Sequence, residues 1–72
     1  MKKIKKIKIK VNGKSRSINK DISALNLVKN LKIPLKKVAI ELNQEIVDKK
    51  KIKYINLKQN DKIEIVHFIG GG

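Results

Sequence analysis

The chain has 72 residues, enough for one domain, and a domain this short has little room for an enclosed pocket or a complete enzyme active site. It has no cysteine, which excludes a disulfide framework, a thiolate metal site and a cysteine nucleophile, and its one histidine, His67, cannot form a metal site alone. The net charge of +13 points either to an anionic partner or to the composition of the coding sequence.

In chain order, residues 1–6 (Met1-Lys2-Lys3-Ile4-Lys5-Lys6) form a basic extension expected to lie outside the ordered domain. It is basic like the first region of a signal peptide, but lysines interrupt it and no apolar core follows. No stretch approaches the roughly 20 apolar residues of a membrane span, so a soluble, cytoplasmic protein is expected. Residues 7–69 carry the domain. Ile7-Lys8-Ile9-Lys10-Val11 alternates with period two, which predicts a half-buried strand with the apolar residues inward. Asn12-Gly13 follows, a pair that accepts positive φ at both central positions of a type I′ turn, so Ser15 to Ile18 is read as the return strand.

The period then becomes helical. Ser23 is a suitable N-cap, Leu25, Val28 and Leu31 recur at helical spacing, and a helix is expected over Ala24 to Leu31. Pro34 bars its continuation. Val38 to Leu42 alternates again, with Val38, Ile40 and Leu42 inward and Ala39 and Glu41 outward. Asn43-Gln44 is a turn and Glu45 to Val47 a short return strand. Residues 48–56 are lysine-rich and irregular, held by Ile52, Tyr54, Ile55 and Leu57, and Ile63 to Phe68 is the last strand.

One helix covering one sheet makes a two-layer α+β domain. The first and last strands have the strongest apolar faces and are expected side by side at the centre. Parallel pairing there needs a long crossover, which the helix supplies. If Ile63 and Ile65 face the helix, Val66 and Phe68 face solvent beside Ala39, as a docking surface for a partner. His67 falls on the inward parity and is read as a partly buried structural residue.

Only Arg16 among the 19 basic residues is arginine, and Tyr54 and Phe68 are the only aromatics. Specific nucleic-acid recognition draws on arginine forks and stacking rings, so no specific nucleic-acid partner is expected. Lys, Ile and Asn have A/T-rich codons, which accounts for the mixture without a function.

The chain closes on Gly70-Gly71-Gly72. Glycine has no Cβ and admits nearly any backbone conformation, so a run of it makes a thin strip able to enter a narrow active site in another protein. The terminal carboxylate of Gly72 can then attack the α-phosphate of ATP. A phosphate-cradling loop would instead need a following helix or a lysine at fixed spacing.

The element order with its diglycine ending resembles the ubiquitin-like β-grasp fold, a mixed sheet of four to five strands covered by one helix. Residues 38–47 (VAIELNQEIV) and 61–72 (DKIEIVHFIGGG), with Asn12-Gly13, resemble the thiamine-biosynthesis sulfur carriers, ThiS, over about Ile7 to Gly72. Molybdopterin carriers, MoaD, more often place prolines before the two glycines. Gln44 stands where the ThiS family often has glycine, which should alter one turn, and the chain is more basic than the family. The resemblance implies a carrier rather than an enzyme, with no catalytic residue, metal or bound cofactor. Gly72 would be adenylated with ATP by a ThiF-like enzyme and converted to a thiocarboxylate by a relay fed by a cysteine desulfurase. Its sulfur would pass to a ThiG-like thiazole synthase. Gly70, Gly71 and Gly72 would be the strip threaded into the partner. The other readings are a molybdopterin or tRNA-thiolation carrier, a small basic β-grasp RNA-binding module, and a protein modifier forming isopeptides.

Overall fold

A computed structural model describes residues 5–68. Its elements are β1 (Lys6–Val11), β2 (Lys14–Asn19), α1 (Ala24–Asn30), β3 (Val38–Leu42), β4 (Glu45–Ile46) and β5 (Lys62–His67), with 3-10 turns at Leu35–Lys37 and Ile52–Tyr54. The sheet runs β2-β1-β5-β3-β4. β1 pairs with β5 in parallel, and the other pairs are antiparallel. This is the expected two-layer α+β architecture, with the first and last strands adjacent and β5 central. β1 starts at Lys6, inside the segment read as an extension, and β2 extends one residue beyond its expected range at each end.

The inner face of the sheet and one side of α1 share a single core: Ile9, Ile18, Ala24, Leu27, Val28, Val38, Ile40, Ile52, Leu57, Ile63 and Ile65. Burying a side chain of this size contributes roughly 1.5–3 kcal/mol. The helix turns a different stripe inward from the one its spacing predicted. Ala24, Leu27 and Val28 are buried, while Leu25 and Leu31 are only partly so. Ser23 caps α1 as expected, its Oγ accepting from the Asn26 N–H at 3.1 Å. At the other end Lys32 takes φ 59°. Its N–H donates to Lys29 O and that of Ile33 to Val28 O, a double closure that satisfies the last carbonyls.

The segment after β4 runs back along the start of α1. Ala24 N–H donates to Ile55 O and Leu57 N–H to Ile22 O, each at 2.8 Å. Ile52 and Leu57 enter the core from it, but Tyr54, expected to help pin the segment, is 74% exposed. A 3-10 turn has three residues per turn, so with Ile52 inward Tyr54 points out, its ring centroid 5.1 Å from Lys53 Nζ.

The two hairpin turns have matching backbones. Asn12 and Gly13 have φ 51° and 82°, and Asn43 and Gln44 have φ 51° and 73°. Both asparagines also reach β5. Asn12 Oδ1 accepts from Ile65 N–H at 2.7 Å and its Nδ2 donates to Ile65 O at 3.3 Å. Asn43 Oδ1 accepts from Lys62 N–H at 2.9 Å. The last strand is thus gripped from both sides by turn side chains. The turn expected to differ at Gln44 keeps the backbone of an Asn-Gly turn, and the difference lies in strain: a left-handed conformation on a residue with a Cβ is unfavourable by about 1–2 kcal/mol. Gln44→Gly is expected to stabilise the fold by about 1 kcal/mol, after the added freedom of the unfolded chain is subtracted. The thermal midpoint should rise by about 5 °C. Thermal denaturation followed by circular dichroism checks it, and an unchanged midpoint contradicts the strain.

Candidate functional site

β5 leads from the core toward the glycines. Its burial alternates as expected, with Ile63 and Ile65 buried and Glu64 and Val66 outward. Val66 is 50% exposed and lies directly opposite Ala39 on β3. Phe68, also 50% exposed, donates its N–H to Lys37 O at 2.9 Å, so the β3–β5 contact persists to the last described residue. The structure therefore brings Ala39 and Val66 together on the side of the sheet that α1 leaves open, with Phe68 following on the same parity. Gly70, Gly71 and Gly72 lie outside the described residues.

His67 departs from its expected place. It has the inward parity yet is exposed. It pairs with Val38 at the very start of β3, and the buried residues of β5 end at Ile65. Val38 is itself fully buried, so the pairing does not cover His67, which is the last residue of β5 and stays exposed. The structure leaves it without the partly buried structural role read from the sequence.

The sequence reading missed two residues of this surface. Ile46 on β4 is 80% exposed and pairs with Glu41, which places it on the same open face. Its exposure follows from register, and a two-residue strand carries no period from which to read it. Lys49 was one lysine among many. Its Nζ donates to Val38 O at 2.8 Å and Leu35 O at 3.2 Å and stands 5.1 Å from the Phe68 ring centroid. One ammonium thus ties the segment after β4 to the start of β3 and to Phe68, the residue that follows β5. Hydrogen bonds from a charged donor contribute more than neutral ones. Lys49→Met, which keeps the apolar stem, is expected to lower stability by about 1–2 kcal/mol, measured by urea denaturation. A midpoint within error of the wild type contradicts the tie.

Among the described residues no group of three or more His, Asp or Glu side chains could hold a metal ion. No helix among them is long and apolar enough to cross a membrane. Among the described residues the open sheet face carries Ala39, Ile46 and Val66 beside charged side chains, on and around the strand that precedes the glycine ending.

The comparisons with known proteins agree with this geometry. The chain is 37% identical over 65 residues to the sulfur carrier protein ThiS of Bacillus subtilis, covering 89% of this chain and 98% of that protein. It is 38% identical over 66 residues to a thiazole synthase of Paramagnetospirillum magneticum, of whose length the match spans 20%. The crystal structure of a thiamine biosynthesis protein, ThiS, from Geobacter metallireducens superposes with a TM-score of 0.81 at 28% identity, covering 92% of this chain and all of that one. The ThiS family model matches residues 9–72, a stretch that opens on the first fully buried residue of β1 and closes on the third glycine. The sheet order, the strand that leads to the glycines and the extent of that match agree: the chain belongs to the ThiS family.

Proposed function

We propose that this protein is a sulfur carrier in thiamine biosynthesis, acting in formation of the thiazole ring. The observation that carries the reading is the span of the family match. It includes Gly70, Gly71 and Gly72 and rests on a fold whose central strand leads to them. The protein is a substrate of other enzymes, not a catalyst. A carboxylate oxygen of Gly72 attacks the α-phosphate of ATP held by a ThiF-like adenylating enzyme, pyrophosphate leaves, and an acyl-adenylate forms. The outer sulfur of a persulfide, supplied by a relay fed by a cysteine desulfurase, displaces AMP to give an acyl disulfide, and a second thiol reduces that disulfide and releases the thiocarboxylate. Gly70 and Gly71 give the carboxylate its reach, since a strip without side chains enters a channel too narrow for other residues. The protein itself holds no cofactor, and the ATP belongs to the partner.

The likeness to thiazole synthases supports such an enzyme as the recipient, in preference to a molybdopterin or tRNA-thiolation pathway. The scarcity of arginine and aromatic residues argues against a nucleic-acid target. The test is ATP–pyrophosphate exchange with the adenylating enzyme from the same cell. The protein is expected to support exchange that depends on its own concentration. An active cognate enzyme that leaves it untouched contradicts the reading.

A further inference from the structure

The open face of the sheet is sorted by charge. Lys6, Lys8 and Lys10 take the outward positions of β1, and Lys10 lies directly opposite Lys62 on β5. Their partners on β2 are uncharged: Asn19 opposite Lys6, Ser17 opposite Lys8 and Ser15 opposite Lys10. A shallow cleft bordered by Lys8, Lys10 and Lys62 is completed by Ser15, Gln59 and Asn60, again without a carboxylate. The nearby Asp61 is engaged elsewhere, its Oδ1 accepting from Asn43 Nδ2 and its Oδ2 from Lys58 N–H.

Past Lys62 the sign reverses. Glu64 follows on the same side of β5 and lies directly opposite Glu41 on β3, and Glu41 in turn lies opposite Ile46. The chain has six acidic residues and 19 basic ones, yet two of the six face each other. Like charges placed directly opposite on a sheet are destabilising, and this face holds one such pair of each sign. The half-exposed Val66 continues the acidic half as an apolar contact beside Ala39.

We propose that this face selects and orients its partner by charge. The lysine half lies against acidic side chains of the adenylating enzyme, and the Glu41–Glu64 pair receives a basic side chain from it. Ile46, Val66 and Phe68 make an apolar contact with it on the side of the glutamates away from the lysines. The proposal rests on the carrier reading and adds the chemistry of the partner's surface to it. A polyanion fits only the lysine half and is repelled by the two glutamates. A second copy matches the two-signed face about a two-fold axis, but two chains of charge +13 repel each other before contact. A protein surface with the mirrored order of charge satisfies all three zones. Complementarity of this kind acts on encounter and register and is screened by salt.

The experiment measures pyrophosphate exchange with the cognate enzyme against carrier concentration and ionic strength, alongside thermal denaturation of each carrier. For the wild type, KM should rise steeply with salt while kcat holds. Lys8→Glu with Lys10→Glu should raise KM at least tenfold and flatten its salt dependence. The neutral pair Lys8→Gln with Lys10→Gln should do so to a lesser degree, which keeps the test readable if charge reversal disturbs β1. Glu41→Gln should raise the thermal midpoint, by relieving the like-charge pair, and still raise KM. Wild-type KM in these variants overturns the proposal. So does loss of RNA binding in the lysine variants at unchanged KM, or a salt-stable dimer of the wild type that Glu41→Gln dissociates. Absence of exchange with the wild type overturns the carrier reading itself, and this proposal with it.

Discussion

Deleting Gly71 and Gly72, or appending one residue after Gly72, is expected to abolish pyrophosphate exchange and leave the thermal midpoint where it is. The two results separate because they depend on different parts of the chain. The buried core lies wholly between Ile9 and Ile65, and three glycines have no side chains to add to it. On the proposed reading the chemistry belongs to the Gly72 carboxylate, and deletion would withdraw it from the partner's ATP by two residues, roughly 7 Å of extended chain. An appended residue replaces it with a peptide carbonyl. Positional errors far smaller than this cost a reaction orders of magnitude in rate. Gly71→Leu should reduce exchange strongly without touching stability, because it widens the strip. His67→Ala should retain most of the activity, as the carrier supplies no general base. Exchange by a tail-blocked protein would place the reactive group elsewhere.

Val66→Asp and Phe68→Asp are expected to fold and to be poor substrates. Both side chains are half exposed on the open face, so a carboxylate there remains hydrated in the free protein. In the proposed complex it would be buried against an apolar contact. Loss of a central contact of this kind costs at least about 2 kcal/mol, or roughly 30-fold in KM. Circular dichroism should show native content for both variants, with a modest fall in midpoint for Val66→Asp because aspartate is disfavoured in strands. Phe68→Asp also exchanges a cation–π contact with Lys49 for an ion pair, which limits its effect on the fold. Normal KM in both variants would move the docking surface off this face.

How much of this was legible in the sequence depends on the range of the interaction involved. Local alternation at Ile7–Val11 and Val38–Leu42, the Asn12-Gly13 turn and the Ser23 cap were readable, because each is settled within a few residues. The central parallel pair followed from which strands were most apolar. The helix face was less clear. Ala24, Leu25, Leu27, Val28 and Leu31 are all apolar, so two overlapping stripes fit the period, and packing on the sheet chose the one through Leu27. Parity alone misplaced His67, since parity gives a side but not whether the last residue of a strand is covered. Tyr54 needed a 3-10 turn within a segment that carries no period.

The site divides along the same line. Val66, Phe68 and Ala39 were accessible to parity because their outward positions follow from alternation with Ile63 and Ile65 on β5 and with Val38 and Ile40 on β3. The clamps of Asn12 and Asn43 on β5 span 53 and 19 residues and were not. Nor was the opposition of Glu41 to Glu64, which exists only in the particular register of β3 on β5. A one-residue slip would break both that pairing and the in-register lining of the core, because side chains alternate faces along a strand.

The most direct test of the account is the intact mass of this protein after incubation with ATP, its cognate adenylating enzyme and a sulfur source. Fragmentation then locates any change. The account predicts a gain equal to replacement of one oxygen by one sulfur, confined to Gly72 and absent when ATP is omitted. A sulfur carried on any other residue, or acquired equally by the protein with a residue appended after Gly72, would contradict it.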